Sequence, residues 1–208
     1  MEKWARAMYQ PSLPLGENGQ RLTGSREHIE LSKNVAKEGM VLLKNEGGLL
    51  PFAKGTKLAV FGKAAFDYVK GGGGSGDVTV AYVRNLYEGL KMQQECVSIY
   101  EPLCDYYRKD VERQYAEGHA PGMTVEPAVP QDLLDRARAY TDTALVTICR
   151  FSGEGWDRKS VVDDNKEHLS EGERQMAEVS AKIFKDGDFN LSVDEAAMVA
   201  AVKQHFPK

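Results

Sequence analysis

Three short apolar runs punctuate the chain: "KLAVFG" from Lys57 to Gly62, "CVSIYEP" from Cys96 to Pro102 and "ALVTICR" from Ala144 to Arg150. Stretches of helical character separate them. Continuous rather than alternating apolar character marks strands that are buried on both faces. Strand, helix, strand in that order restricts the chain to parallel β-α-β units, because parallel neighbours need a long crossover and a helix normally supplies it. The expected fold is therefore α/β, a three-layer sandwich with a mainly parallel sheet. In such sheets ligands bind outside the carboxyl ends of the strands.

The intervening segments support this order. "VRNLYEGLKM" and "DYYRKDVERQYAEG" read as helices, and "PQDLLDRARAY" is amphipathic, with Leu133, Leu134, Ala137 and Tyr140 on one side. An earlier helix opens at Ser25 as N-cap with Glu27 in its first turn, and Ile29, Ala36, Met40 and Leu43 recur at helical spacing. Ser170 with Glu173, and Ser192 with Glu195, are capping boxes that start two further helices. Residues 1–24 read as an irregular N-terminal arm broken by Pro11, Pro14 and Gly16, and 25–208 as the α/β body.

Composition narrows the class. Of 208 residues 42% are hydrophobic and 28% charged, enough for a core under a solvated surface. A net charge of −4 without a Lys/Arg run argues against nucleic acid as partner. No apolar stretch is long enough to span a bilayer, and the first residues lack the apolar core of a signal peptide. Cys96, Cys104 and Cys149 form no C-x-x-C pair and only four histidines occur, so neither a disulfide framework nor a metal site is expected. A reduced, cytoplasmic setting follows, with Cys149 as a small core residue.

Two loops carry the chemistry. "KGGGGSGD", Lys70 to Asp77, follows the first strand, and "RFSGEGWDR", Arg150 to Arg158, follows the third, so both should emerge at the same edge of the sheet. Gly71, Gly73 and Gly76 satisfy G-x-G-x-x-G in form only, because a dinucleotide loop starts at the strand end and this one does not; Asp77 stands where a phosphate loop needs lysine. The loop is either a surface turn or a backbone that lets a ligand come close. Glu154, flanked by Gly153 and Gly155, is either a solvated surface acid or a proton donor whose pKa rises against apolar surface such as Trp156. Trp156 itself either packs or stacks on a sugar ring, and Asp157, Arg158 and Arg150 suit local ion pairs.

"VAKEGMVLLKNEGGLLPF", "LAVFG", "GGGGSGDV", "LYEGL", "RFSGEGWDR" and "DGDFNLSVDEAAMV" occur in this order. Together, from about Ser25 onward, they resemble the α/β sandwich domain of glycoside hydrolase family 3, notably its β-glucosidases. The resemblance implies that Glu154 is the catalytic acid/base of a retaining enzyme, with the nucleophilic aspartate in a separate (β/α)8 barrel. It further implies a β-glucoside or oligosaccharide substrate and places the loop Gly71–Gly76 at the cleft entrance. Gly73, Gly74, Ser75, Trp156 and Arg158 are then the candidate substrate contacts, and neither a metal nor an organic cofactor is needed. The sandwich motifs start near Met1 and stop at "AAVKQHFPK", which suggests a permuted order, sandwich before barrel, and a sheet incomplete at its C-terminal end. Such a sheet has an open edge and invites self-association. The polar insert between Arg158 and Asp186 is a lid, a partner surface or neither; the sequence leaves all three open. Two other readings remain: a non-catalytic carbohydrate-binding module, and a flavodoxin-like phosphate- or nucleotide-binding domain.

Overall fold

The computed structural model describes residues 17–19, 24–72, 74–76, 78, 80, 82–153, 158 and 170–208. Contacts divide the chain into two units, Met1–Leu49 and Leu50–Lys208.

In the first unit, helix α1 spans Arg26–Glu38. Ser25 is its N-cap, the hydroxyl accepting from the His28 N–H at 3.4 Å. None of its residues is buried. The helical spacing of apolar residues runs on through Met40 and Leu43, but the helix stops at Glu38 and Gly39 is its C-cap. Glycine in a helix costs about 1 kcal/mol relative to alanine, which favours a stop at this point. Met40, Val41, Leu42 and Leu43 lie exposed beyond the end.

The second unit is built on three parallel strands, β1 (Thr56–Phe61), β2 (Val97–Ile99) and β3 (Ala144–Val146), in the order β2-β1-β3. Leu58 aligns with Ile99 on one side of β1, and Ala59 and Phe61 align with Ala144 and Val146 on the other. Leu58, Ala59, Val60 and Phe61 are all 0% exposed. Alternation sends Leu58 and Val60 to one face and Ala59 and Phe61 to the opposite one. On the first face they meet Val97, Cys104 and the half-buried Tyr87 and Leu90 of helix α2 (Leu86–Lys91). On the second they meet Leu103 and Tyr107 of α3 (Glu101–Ala116), Leu133, Leu134 and Ala137 of α4 (Gln131–Tyr140), and Met198 and Val202 of α6 (Val193–His205). Helices on both faces of a parallel sheet make the three-layer sandwich that the strand order implies. Each fully buried Leu, Val or Phe contributes about 1.5–3 kcal/mol.

Boundaries follow local chemistry. Helix α3 starts at Glu101, earlier than its polar run suggests, because Pro102 suits a first helical turn, where its missing N–H costs nothing. Ser170 and Glu173 form the expected capping box of α5 (Glu171–Ile183), as Ser192 and Glu195 do for α6. Asn85 and Glu88 form a third, on α2. Lys208 lies along β3, its N–H donating to the Asp142 carbonyl at 3.2 Å and its carbonyl accepting from Ala144 at 2.8 Å. Among the described residues β3 has a strand neighbour on one side only. No helix among them is long and apolar enough to cross a membrane.

Phe61 packs edge-on against Phe206, with ring centroids 5.2 Å apart. Phe61→Ala is expected to lower the unfolding free energy in urea by about 3–5 kcal/mol. Val35→Ala on α1, at a side chain 62% exposed, should change it by less than about 0.5 kcal/mol.

Candidate active site

The carboxyl ends of β1 and β3 lead into segments that touch backbone to backbone. Gly62, directly after β1, has φ of 98°. A Cβ there would collide with the Thr147 carbonyl and hydroxyl oxygens. Thr147 closes the contact: its N–H and hydroxyl both donate to the Phe61 carbonyl at 2.9 Å, and the hydroxyl also reaches the Gly62 carbonyl. Further out, Gly72 of the glycine loop (φ 66°) presses on the Ser152 carbonyl, where a Cβ would overlap it. Gly122 (φ 78°) lies flat against the Phe151 ring and Val69. The two strand-exit loops thus meet at one edge of the sheet. The contact falls on Ser152 and Gly153, the residues that immediately precede Glu154.

Glu154 itself, Trp156, Asp157 and Gly73 lie outside the described residues. Gly74–Gly76 form a single 3₁₀ turn, and Ser75 is exposed. The glycine loop does not open a helix, since α2 begins only at Leu86. It therefore lacks the helix N-terminus on which phosphate binding by such loops depends.

A buried polar cluster fastens the first loop from beneath. Asp67, fully buried, accepts from Lys63 Nζ at 3.3 Å, from the hydroxyls of Tyr115 and Thr124, and from the N–H groups of Gly122 and Thr124. Burial alone would raise its pKa, but the Lys63 ammonium and these donors outweigh that and hold it below the ordinary value. The same Lys63 donates its backbone N–H to Glu126 Oε2 at 2.9 Å. Burial dominates at Glu126, which is also repelled by Glu195, and its pKa is pushed up to about 7 despite the Lys63 N–H, the Tyr107 hydroxyl and the Lys63 charge. Cys149 is half-buried rather than a core residue, its Sγ 3.8 Å from the Asp67 carbonyl oxygen.

Two arginines fasten the second loop. Arg150 makes a bidentate pair with Glu195, at 2.7 and 2.6 Å, and donates to the carbonyls of Asp188 and Asn190. Its guanidinium lies 4.0 Å from the Phe184 ring centroid. Arg158, whose side chain is 8% exposed, donates Nε to the Phe151 carbonyl and Nη1 to Ser180 and Asp188, both at 3.3 Å. Sequence spacing points to local ion pairs for both, but the described partners are far along the chain. Glu195 was legible only as half of a capping box, which it also completes. The signal for Asp67 was its place four residues after Lys63, next to a strand end.

Because the folded-state pKa of Glu126 lies above the ordinary value of 4.5, the folded protein keeps a proton that the unfolded chain has lost. The stability this provides is complete below about pH 4.5 and declines as pH rises through about 7. Glu126→Gln is therefore expected to flatten the fall in stability between pH 5 and 8, worth about 3 kcal/mol in the parent chain, in urea melts at stepped pH.

Comparison with known proteins follows the same lines. The family model described as the glycosyl hydrolase family 3 C-terminal domain matches residues 40–207. Beta-glucosidase A of Butyrivibrio fibrisolvens is 56% identical over 206 residues, 99% of this chain and 25% of that protein. A beta-glucosidase of Ruminococcus albus is 34% identical over 139 residues, 63% of this chain and 14% of that protein. The solved structure of beta-glucosidase 3B from Thermotoga neapolitana in complex with α-D-glucose superposes with a TM-score of 0.66 at 27% identity, over 90% of this chain and 23% of that one. The chain thus spans a quarter or less of the length of these relatives. With a family match across most of its length and a superposable sandwich, it belongs to the glycosyl hydrolase family 3 C-terminal domain family.

Proposed function

We propose that this chain is the acid/base-carrying sandwich domain of a retaining β-glucosidase. It would act on terminal β-linked glucose of glucosides or oligosaccharides, together with a (β/α)8 barrel that supplies the nucleophile. The observation that carries this reading is the backbone contact of Gly72 with Ser152 and Gly153, which brings the glycine loop against the segment leading into Glu154. Retaining hydrolysis needs two carboxyl groups about 5–5.5 Å apart. One forms a glycosyl-enzyme intermediate, while the other protonates the departing oxygen and then activates water. Glu154 takes the second role. Gly73, Gly74 and Ser75 are assigned to the cleft entrance and Trp156 to the sugar face. Arg158, expected as a further substrate contact, has a side chain only 8% exposed and a guanidinium engaged by Phe151, Ser180 and Asp188, and is assigned to the support of the loop instead.

The remaining parts of the proposal concern setting and assembly. A cytoplasmic location suits three cysteines that are all unpaired. Separated from a barrel, the chain is proposed to self-associate, because beyond its backbone pairing with Lys208 the outer edge of β3 has no strand neighbour among the described residues.

The isolated chain is expected to show no measurable glucosidase activity, since an acid without nucleophile or pocket floor contributes at most about 10²–10⁴-fold. In a barrel-containing protein, Glu154→Gln should cut turnover of cellobiose sharply and that of a nitrophenyl glucoside less in the glycosylation step, because a good leaving group barely needs the proton. Azide should partly restore turnover, replacing water that has lost its base. Equal losses on both substrates with no azide rescue would remove Glu154 from the role.

A further inference from the structure

The segment that bears Glu154 begins and ends on the same fixed point. At its start, Phe151 and Ser152 are pressed between Gly122 and Gly72. At its end, Arg158 turns its side chain back and donates Nε to the Phe151 carbonyl, so one guanidinium bridges the two ends of the stretch Phe151–Arg158. That guanidinium is not free to wander. Its Nη1 reaches Asp188 Oδ1 and Ser180 Oγ, both at 3.3 Å, and Ser180 donates to the same Asp188 oxygen at 2.7 Å. The ring faces of Phe151 and Phe184 lie 5.3 and 5.6 Å from it. Ser180 and Asp188 are both buried, and Ser180 stands on α5, within the insert between Arg158 and Asp186. Arginine suits this task because its rigid fork serves a carbonyl and a carboxylate at once, which a lysine ammonium does not do.

We infer that Arg158, oriented by Asp188 and by Ser180 of α5, is a positioning residue that closes the base of the loop carrying the acid/base Glu154. This rests on the function proposed above. It gives the insert a purpose: α5 delivers the hydroxyl that holds Asp188 and Arg158 in one arrangement. A catalytic group displaced by about 1 Å loses on the order of 10²-fold in rate, so loosening the closure should be felt in the proton-transfer step.

The test uses a barrel-containing protein with Arg158→Lys, Asp188→Asn and Ser180→Ala, and Glu154→Gln as reference. Arg158→Lys and Asp188→Asn are expected to lower kcat on cellobiose about 10–100-fold, with KM little changed and a smaller loss on a nitrophenyl glucoside. They should also move the alkaline limb of the pH profile, which reports the acid. Ser180→Ala should shift both readouts in the same direction by less. A role in folding alone would lower the active fraction equally for both substrates and leave the pH profile in place; that result overturns the inference. If Glu154→Gln shows the leaving-group dependence and azide rescue while Arg158→Lys keeps the wild-type substrate ratio, the positioning role fails and the acid/base reading stands. If Glu154→Gln shows neither, both fail together.

Discussion

Everything at the functional edge depends on the double burial of β1. A strand with no exposed side chain from Leu58 to Phe61 has one orientation and one register, since a slip of one residue would exchange Leu58 and Val60 for Ala59 and Phe61 across the sheet. Its exit is therefore fixed in space. Gly62 continues it at a backbone conformation that lets the Thr147 hydroxyl bond two successive carbonyls, and β3 is locked in register by the same contact. The loops then inherit their positions from the strands.

Charge is spent differently on the two loops. Beneath the glycine loop, Asp67 gathers donors from three directions and stays ionised in spite of burial. Next to it Glu126 is held high by burial, so two carboxyl groups flanking Lys63 have pKa values driven apart. A cluster with both acids ionised would carry a net negative charge in a low-dielectric site; keeping one proton avoids that. Among the described residues of the second loop the charges are arginines, each matched by a carboxylate from the 188–195 segment.

Much of this was legible in sequence. Three apolar runs located the three parallel strands, though β2 and β3 take up only three residues of theirs, and capping boxes at Ser170 and Ser192 placed two helix starts to the residue. The meeting of the two loops followed from topology alone. What escaped has a common cause. Arg150 with Glu195, Arg158 with Asp188, and Asp67 with Thr124 join residues far apart in the chain, and nothing local in their surroundings announces the partner. The run of apolar residues past Glu38 misled for a local reason: helical spacing continued, but Gly39 ended the helix.

The contacts at Gly62, Gly72 and Gly122 have a consequence for how this edge of the sheet tolerates change. At each, main chain or ring occupies the space that a β-carbon would need. Side chains hop between rotamers on thermal timescales, and a site braced by them inherits that jitter. Here the contact of Gly72 with Ser152 and Gly153, on the approach to Glu154, is main chain against main chain, which has no rotamers. Substitution at this edge is then channelled: a side chain added at Gly62, Gly72 or Gly122 has to displace main chain or ring, so the spacing between the two loops is kept while positions around them are free to change.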